Sequence, residues 1–309
     1  MEVIFLNYFP NSDEEISVIK FVAKFQYLST NDSKYFFKSK DYYRKRINSL
    51  VSKKYLRKIN LNFVVLGEAG IEYIKTFHYD YNILNRNKKY LPRLLYISNL
   101  GAYFFTCETV TFTPSFAIKD KEVLTTMARK FVGIFHINGF DYLTYYITEE
   151  HTKRYLNSVI YDIQKERKFK NILVLTNDMA RIPVSDFAFG LNQVLVAEDN
   201  EDNREKLKYI HNMNWHKVIE DCYQNKVYLA EYRFCDYTDY QNKYVSLFYF
   251  LDTEKINRIK QFLRENKNKN ADIICSLELK NEIQKELPNA NYITIDLEEY
   301  INKERHYYE

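Results

Sequence analysis

The spacing of apolar positions predicts three helices near the start of the chain. Residues 12–28 place apolar side chains at intervals of three and four, and Ser12 with Glu15 forms a capping box at their start. Polar breaks follow, so a short second helix is expected at about 31–38 and a third at about 40–53. The apolar side of the third helix consists of Tyr43, Ile47, Leu50 and Val51.

Two strand-like runs and a further helix complete this first region. Residues 55–59 and 63–66 are the strand candidates, 60–62 forms a tight link between them, and a helix starts near Gly67. Three helices, a hairpin and a helix are the order of a winged helix, with the hairpin as its wing. The sequence therefore predicts a winged helix-turn-helix domain over residues 1–80. It resembles the usual winged-helix pattern here, except that Gly67 stands where threonine is usual.

Positive charge is concentrated in the same region. Residues 1–90 hold 16 Lys and Arg against 9 Asp and Glu, whereas the rest of the chain holds 29 against 32. Between Lys34 and Lys58, ten residues are basic and one is acidic. A basic head on a mildly acidic body indicates that a polyanion is contacted at the head.

The polar face of the third helix predicts how double-stranded DNA is bound. Asn48 can pair bidentately with adenine in the major groove, and Lys45 can reach guanine or a phosphate. Neighbouring cations are expected to hold phosphates, namely Arg44, Arg46, Lys53 and Lys54. The full DNA-binding set predicted from the sequence is Tyr42, Arg44, Lys45, Arg46, Asn48, Ser49, Ser52, Lys53, Lys54, Arg57 and Lys58.

A connecting segment with a helix is expected at 81–106, followed by one large domain over 107–309. Mixed strands and helices predict an α/β or α+β domain around a mixed sheet, and no convincing internal repeat is visible. The predicted strands are 110–119, 131–138, 141–148, 171–176, 193–197, 227–234, 244–251, 273–276 and 292–296. The predicted helices are 121–130, 150–167, 202–213, 253–266 and 278–287.

The stretch 140–150 carries a resemblance to a known family. Leu143 stands at an apolar position of the family's motif, and Glu150 at the acid before its long helix. Thr144 and Tyr146 stand where the motif has Glu and Asp. Together with the winged helix and the connecting helix that precede it, this stretch resembles the plasmid replication-relaxation family.

The resemblance covers residues 12–178 and implies a fold and a function. The second domain would have a degenerate restriction-endonuclease-like core, clearest at 107–200. The protein would act in the replication of a plasmid or phage, in its maintenance, or in the regulation of either. Residues 180–309 match no pattern of this kind.

Nuclease chemistry needs clustered carboxylates, because Mg²⁺ prefers oxygen ligands. Thr144 and Tyr146 cannot supply them, so the remaining catalytic candidates are a shifted acidic set of Asp141, Glu149 and Glu150. The alternative is that Asp141 is a turn residue and the glutamates are acids at a helix start, where the helix dipole favours them. Mg²⁺ is expected as a cofactor only if the acidic set is active.

Other polar side chains have a catalytic and a structural interpretation. Tyr145 is a candidate relaxase nucleophile, but it has no special standing among 29 tyrosines. His136 and His151 would flank a site if they met across the 131–148 hairpin, and are otherwise structural. Residues 177–178 end a strand, where ligands often bind in α/β domains, or they cap that strand.

Composition limits the setting and the partners. Four cysteines without a paired motif, no secretory signal and no bilayer-length apolar run predict a reduced cytoplasmic setting without a membrane partner. We expect a non-catalytic, sequence-specific DNA-binding protein whose body forms a homodimer or holds replication or mobilisation proteins. The alternatives are a metal-dependent DNA endonuclease or relaxase of plasmid mobilisation, and a module whose winged helix binds protein.

Overall fold

A computed structural model of the chain describes residues 10, 12–39, 41–85, 87–118, 130–137, 139–182, 190–209, 213–223, 226–230, 232, 234–239 and 243–308, the last five without their side chains. The chain forms two compact units. The first comprises residues 1–120 with 132–134, and the second comprises 121–131 with 135–309. The fold is mixed α/β.

The first unit contains helices and a small antiparallel sheet. The helices are α1 (Asp13–Phe25), α2 (Tyr43–Ser52), α3 (Glu68–Thr76) and α4 (Leu91–Phe104), with a 3₁₀ turn at Asp32–Phe36. The strands are β1 (Leu28–Ser29), β2 (Leu56–Lys58) and β3 (Phe63–Leu66), which form a sheet in the order β1-β3-β2, and β4 (Val110–Pro114) follows α4.

Local sequence explains where α1 starts and what it buries. The Ser12 hydroxyl accepts a hydrogen bond from the Glu15 amide at 3.3 Å, as the capping box predicts. The helix ends at Gln26, whose φ of 72° is left-handed. One side of α1 forms the core of the unit together with α2 and the sheet. The fully buried side chains there include Val18, Ile19, Phe21, Ile47, Leu50 and Val64.

Helix α4 packs into this first unit. The Ser98 hydroxyl on α4 donates to the Tyr27 carbonyl oxygen, and Gly101 lies against the Phe25 ring, where a Cβ would come within 2.2 Å of a ring carbon. The helix expected within 81–106 is therefore present, and its inner side is part of the core that α1 and β1 form.

The second unit contains two sheets. The first has the strand order β12-β8-β7-β6-β5 within this unit, and β6, β7 and β8 run parallel. Its strands are β5 (Gly133–Ile137, of which 135–137 belong to this unit), β6 (Phe140–Ile147), β7 (Asn171–Thr176), β8 (Gln193–Glu198) and β12 (Leu251–Asp252). Helices α5 (Lys153–Lys165), α6 (Glu201–Tyr209) and α7 (Trp215–Tyr223) accompany it in sequence.

The second sheet has the order β14-β13-β11-β10-β9, with β11, β13 and β14 parallel. Its strands are β9 (Val227–Leu229), β10 (Tyr237–Asp239), β11 (Tyr244–Phe248), β13 (Ala271–Cys275) and β14 (Asn291–Thr294). The helices of this half are α8 (Thr253–Glu265), α9 (Leu277–Glu286) and α10 (Leu297–Tyr308). Two sheets therefore replace the single mixed sheet expected for 107–309.

The two sheets share part of their order of elements, which the sequence does not reveal. Strands β6, β7 and β8 run parallel, as do β11, β13 and β14, and a helix connects the first two strands of each set; the second set also contains β12 before α8, and α9 between β13 and β14. Helices α5 and α8 each have 13 residues, and each begins after a side-chain cap, Thr152 or Asp252. Few side-chain identities accompany this repeat, because a buried parallel strand requires only apolar residues.

Most predicted elements are present with shorter bounds, and several elements of the described residues were not predicted, among them the short strand β1. The expected helix at 121–130 falls almost wholly outside the described residues. Helices α7 and α10 and strand β10 lie where the sequence analysis placed no separate element. No helix in the described part of the chain is both long and apolar enough to cross a bilayer.

Candidate nucleic-acid interface

The outer face of α2 carries most of the predicted DNA-binding residues at the surface. Ile47 and Leu50 are fully buried on its inner side. On the outer side, Ser49 and the adjoining Lys53 are half-buried. The side chains that are exposed are Tyr42, Arg44, Lys45, Arg46, Asn48, Ser52, Lys54, Arg57 and Lys58. The basic surface, as we call these eleven residues, thus points away from the core.

Aromatic rings and one carboxylate orient the cations at the start of α2. The Lys45 ammonium lies 4.9 Å from the centre of the Tyr42 ring, and the Arg44 Nε donates to the Tyr43 hydroxyl at 3.1 Å. Arg46 Nη1 lies 3.2 Å from Oε1 of Glu15, whose side chain is fully buried. A buried carboxylate requires a partner, so Arg46 has a structural role as well as an exposed surface.

The hairpin after α2 extends the basic surface. Strands β2 and β3 pair antiparallel, with Arg57 opposite Val65 and Lys58 opposite Val64. The Asn60 side-chain oxygen closes the turn by accepting from the amides of Asn62 and Phe63, each at 2.9 Å. Arg57 and Lys58 are exposed on this hairpin, next to the end of α2.

Two glycines fix the hairpin against the start of α3. A Cβ at Gly67 would lie 2.2 Å from the Lys54 carbonyl oxygen, and one at Gly70 would lie 2.2 Å from the Tyr55 carbonyl oxygen. The Gly67 amide donates to the Tyr55 carbonyl at 2.9 Å. Glycine is therefore the residue that fits at position 67, because the backbone of the preceding turn leaves no room for a side chain.

The structure does not bring the three acidic candidates together. Asp141 lies near the start of β6, whereas Glu149 and Glu150 follow its end. A strand rises about 3.3 Å per residue, so this separation is roughly 20 Å along the strand. Among the described residues, no three His, Cys, Asp or Glu side chains are grouped as ligands for a metal ion.

The two glutamates also do not start a helix, contrary to the alternative interpretation. Helix α5 begins at Lys153 with Thr152 as its cap and has no acidic residue in its first turn. Glu149 and Glu150 are exposed in the turn before it. The Glu149 amide donates to the Asn177 side-chain oxygen at 3.0 Å. The turn between β6 and α5 is longer than predicted. It extends to Thr152, because the Thr152 side chain accepts the hydrogen bond from a backbone amide in the first turn of α5.

The histidine candidates lie at opposite ends of β6, and Tyr145 lies inside the fold. His136 contacts Asp141 at 2.6 Å near the hairpin turn, whereas the His151 Nδ1 accepts from the Thr148 amide at 2.9 Å beyond the far end of the strand. They do not flank one site. Tyr145 is fully buried, and burial raises the pKa of its hydroxyl far above the ordinary value. A nucleophile needs access and deprotonation, so this residue is unsuited to that role.

Residues 177–178 act as caps. The Asn177 side chain accepts the bond from Glu149 described above, and Asp178 Oδ1 accepts from the Ala180 amide at 3.1 Å. Asn177 thereby satisfies a backbone donor that follows β6, and Asp178 satisfies one that follows β7. The capping interpretation accounts for these contacts.

One buried charged cluster was missed in the sequence. Lys255 Nζ lies 3.0 and 2.9 Å from the two carboxylate oxygens of Asp236 and 3.0 Å from the Leu247 carbonyl. Burial alone would lower the pKa of Lys255, but the carboxylates of Asp236 and Asp252 outweigh it and raise that pKa. Asp252 caps α8, and only tertiary packing brings Asp236 to the same lysine.

Comparisons with known proteins add no family to this description. No protein-family model matches the chain, and searches of curated proteins and of solved structures return no match.

Proposed function

We propose that the chain is a sequence-specific DNA-binding protein whose first unit acts as a winged helix. In this proposal α2 lies in the major groove, with Lys45 and Asn48 directed at base edges. Arg57 and Lys58 on the hairpin hold the phosphate backbone beside the groove. The order α1, β1, a 3₁₀ turn, α2, β2, β3 and α3 supports this assignment.

The single observation that carries the proposal is the outward orientation of a basic helix face. Its inner residues Ile47 and Leu50 are fully buried, which fixes the rotation of α2 about its axis. Its outer residues are exposed cations and small polar groups, a combination that suits phosphates and base edges. Asp41 is the only acid among ten basic residues between Lys34 and Lys58.

We assign no catalysis to the second unit in this proposal. Asp141 lies far from Glu149 and Tyr145 is buried, so these candidates do not form one site; that the body holds a partner or a second copy is part of this proposal. A role in plasmid or phage replication or maintenance rests on the resemblance of residues 12–178 to the replication-relaxation family.

The test starts from a selection of duplex sites by the full chain from random DNA. Affinity for the selected site and for an unrelated duplex is then measured by fluorescence anisotropy at several salt concentrations. We expect log affinity to fall linearly with log salt, with a slope of about −0.9 for each phosphate contact, because bound cations release counterions.

Substitutions on α2 and beside it separate base contacts from phosphate contacts. The pair Lys45→Ala and Asn48→Ala should reduce preference for the selected site by about tenfold or more. The pair Arg44→Ala and Lys54→Ala should weaken both duplexes alike and reduce the salt slope by about 2. Lys153→Ala, which removes an exposed cation in the second unit, is the matched control. An affinity that is independent of salt, or equal losses for all three variants, would contradict the proposal.

A further inference from the structure

A groove lies behind the hairpin of the first unit. Its volume is about 900 Å³, and it runs between β2, α3 and residues 81–84. Besides Tyr81, its apolar lining consists of the aliphatic side chains of Val22, Val51, Leu56, Val65, Leu66, Ile71, Ile83 and Leu84. We call this surface the wing groove.

Several apolar side chains of the wing groove remain at the surface. Ile83 is 85% exposed, Tyr81 is 39% exposed and Ile71 is 37% exposed. Exposed apolar side chains that adjoin an apolar concavity are typical of a surface that binds a partner. A bare polyanion would leave these side chains in water, so DNA does not account for them.

The charges at the edge of the wing groove indicate the partner's chemistry. The residues around it include four exposed cations and one exposed acid. The cations are Lys54, Arg57, Lys58 and Lys75, and the acid is Glu68. A partner that matches this apolar floor and cationic edge would carry a stripe of apolar side chains flanked by carboxylates.

We propose that the wing groove binds an acidic amphipathic helix of a partner protein. Apolar residues spaced at three and four along that helix would cover Ile71 and Ile83, and its Asp and Glu side chains would pair with the cationic edge. Lys54, Arg57 and Lys58 also belong to the basic surface. Where the proposed DNA binding holds, the partner helix and DNA therefore compete for these three residues.

The test selects binders of the full chain from a display library of random peptides long enough for several helical turns. We expect the selected peptides to share an excess of Asp and Glu around apolar residues at helical spacing. Ile71→Ser and Ile83→Ser should each weaken the selected peptides by about tenfold, because apolar contact area is lost without a change in charge. Leu61→Ser, at the 89%-exposed hairpin tip outside the groove, should leave them unchanged.

Charge is tested at a groove residue that is not part of the basic surface. Lys75→Glu should weaken the peptides by about fivefold and leave DNA affinity nearly unchanged. Peptides without an acidic excess, no peptides at all, or peptides that bind the two isoleucine variants as tightly as the parent would overturn the inference. Anisotropy with DNA on the same variants separates this outcome from a failure of DNA binding, since serine at Ile71 or Ile83 removes no cation.

Discussion

The lysines of the basic surface and Lys255 place the same chemical group in opposite surroundings. Lys45 and Lys54 are exposed at the surface, and the Lys45 ammonium lies over the Tyr42 ring. The Lys255 side chain is 13% exposed and is held by two carboxylate oxygens of Asp236. The first group contributes little to folding and is available to a polyanion, whereas the second is committed to its own fold.

This difference shows why charge alone does not locate a functional site. The Lys255 ammonium has lost most of its hydration, while its partner Asp236 is still one-third exposed, so replacing Lys255 should lower the stability of the fold. An exposed cation keeps its hydration until a polyanion binds. Its removal should therefore lower the affinity for that polyanion and leave the stability of the fold nearly unchanged. Substitutions of the two classes should therefore separate cleanly into folding effects and binding effects.

The largest expected effect is the loss of the Lys255 ammonium. Lys255→Met leaves Asp252 and the one-third exposed Asp236 without this cation, and should lower the free energy of unfolding of the second unit by about 2–4 kcal/mol, since water screens part of the pair. Urea denaturation followed by fluorescence of Trp215, the single tryptophan of the chain, measures it within that unit. Lys45→Met is the matched control and should change stability by less than about 0.5 kcal/mol.

A second substitution sharpens this result. Adding Asp252→Asn to Lys255→Met removes one of the two carboxylates that were left without a cation. The double variant should therefore regain part of the free energy of unfolding that Lys255→Met loses. Equal stability of Lys255→Met and Lys45→Met would remove the distinction between the two lysines.

A smaller effect is expected where backbone packing holds the basic surface. Gly67→Ala places a Cβ 2.2 Å from the Lys54 carbonyl oxygen, so the hairpin and α3 must move apart. We expect a loss of about 1–3 kcal/mol and weaker DNA binding, because Arg57 and Lys58 shift with the hairpin. Circular dichroism during thermal unfolding and anisotropy with DNA measure the two consequences.

Gly139→Ala is the control for this change. Gly139 has a φ of 82°, and no described atom lies within 4 Å of the position that a Cβ would take, so alanine there meets backbone strain but no clash. It should cost about 1 kcal/mol and leave DNA affinity unaltered. If Gly67→Ala changes DNA affinity no more than Gly139→Ala does, the glycine does not position the hairpin.

The sequence predicts the first unit better than the second for a physical reason. In the first unit, short-range signals fix each element: Ser12 caps α1, and the spacing of Ile47 and Leu50 fixes the buried side of α2. The exposed basic surface follows from that rotation. The backbone contacts of Gly67 and the pairing of Arg46 with Glu15 do not follow, because they join residues that are distant along the chain.

In the second unit, long-range pairing decides the arrangement. The run 244–251 reads as one strand, yet β11 and β12 join different sheets, because Leu251 pairs with Val196. Single-sequence periodicity cannot assign strands to sheets, so one mixed sheet was expected where two occur. The same limit hid the repeated order of elements and the cluster around Lys255.

The smallest expected effect concerns His151, which is neither fully exposed nor fully buried. It tests how much a partly exposed titratable side chain contributes to the stability of the fold. Burial lowers the pKa of His151, Arg181 lowers it further and Glu150 partly opposes both. Its Nδ1 accepts from the Thr148 amide at 2.9 Å, which requires that nitrogen to be unprotonated. The unfolded chain binds a proton near pH 6.5, so the stabilising contribution is present above that pH and is lost as the pH falls through the lower folded pKa. Urea midpoints of the parent and of His151→Asn, compared from pH 8 down to about pH 5, should converge on acidification. Midpoints that stay a constant distance apart would mean that His151 contributes through packing on Tyr155, whose ring centre lies 4.0 Å away, and not through its protonation state.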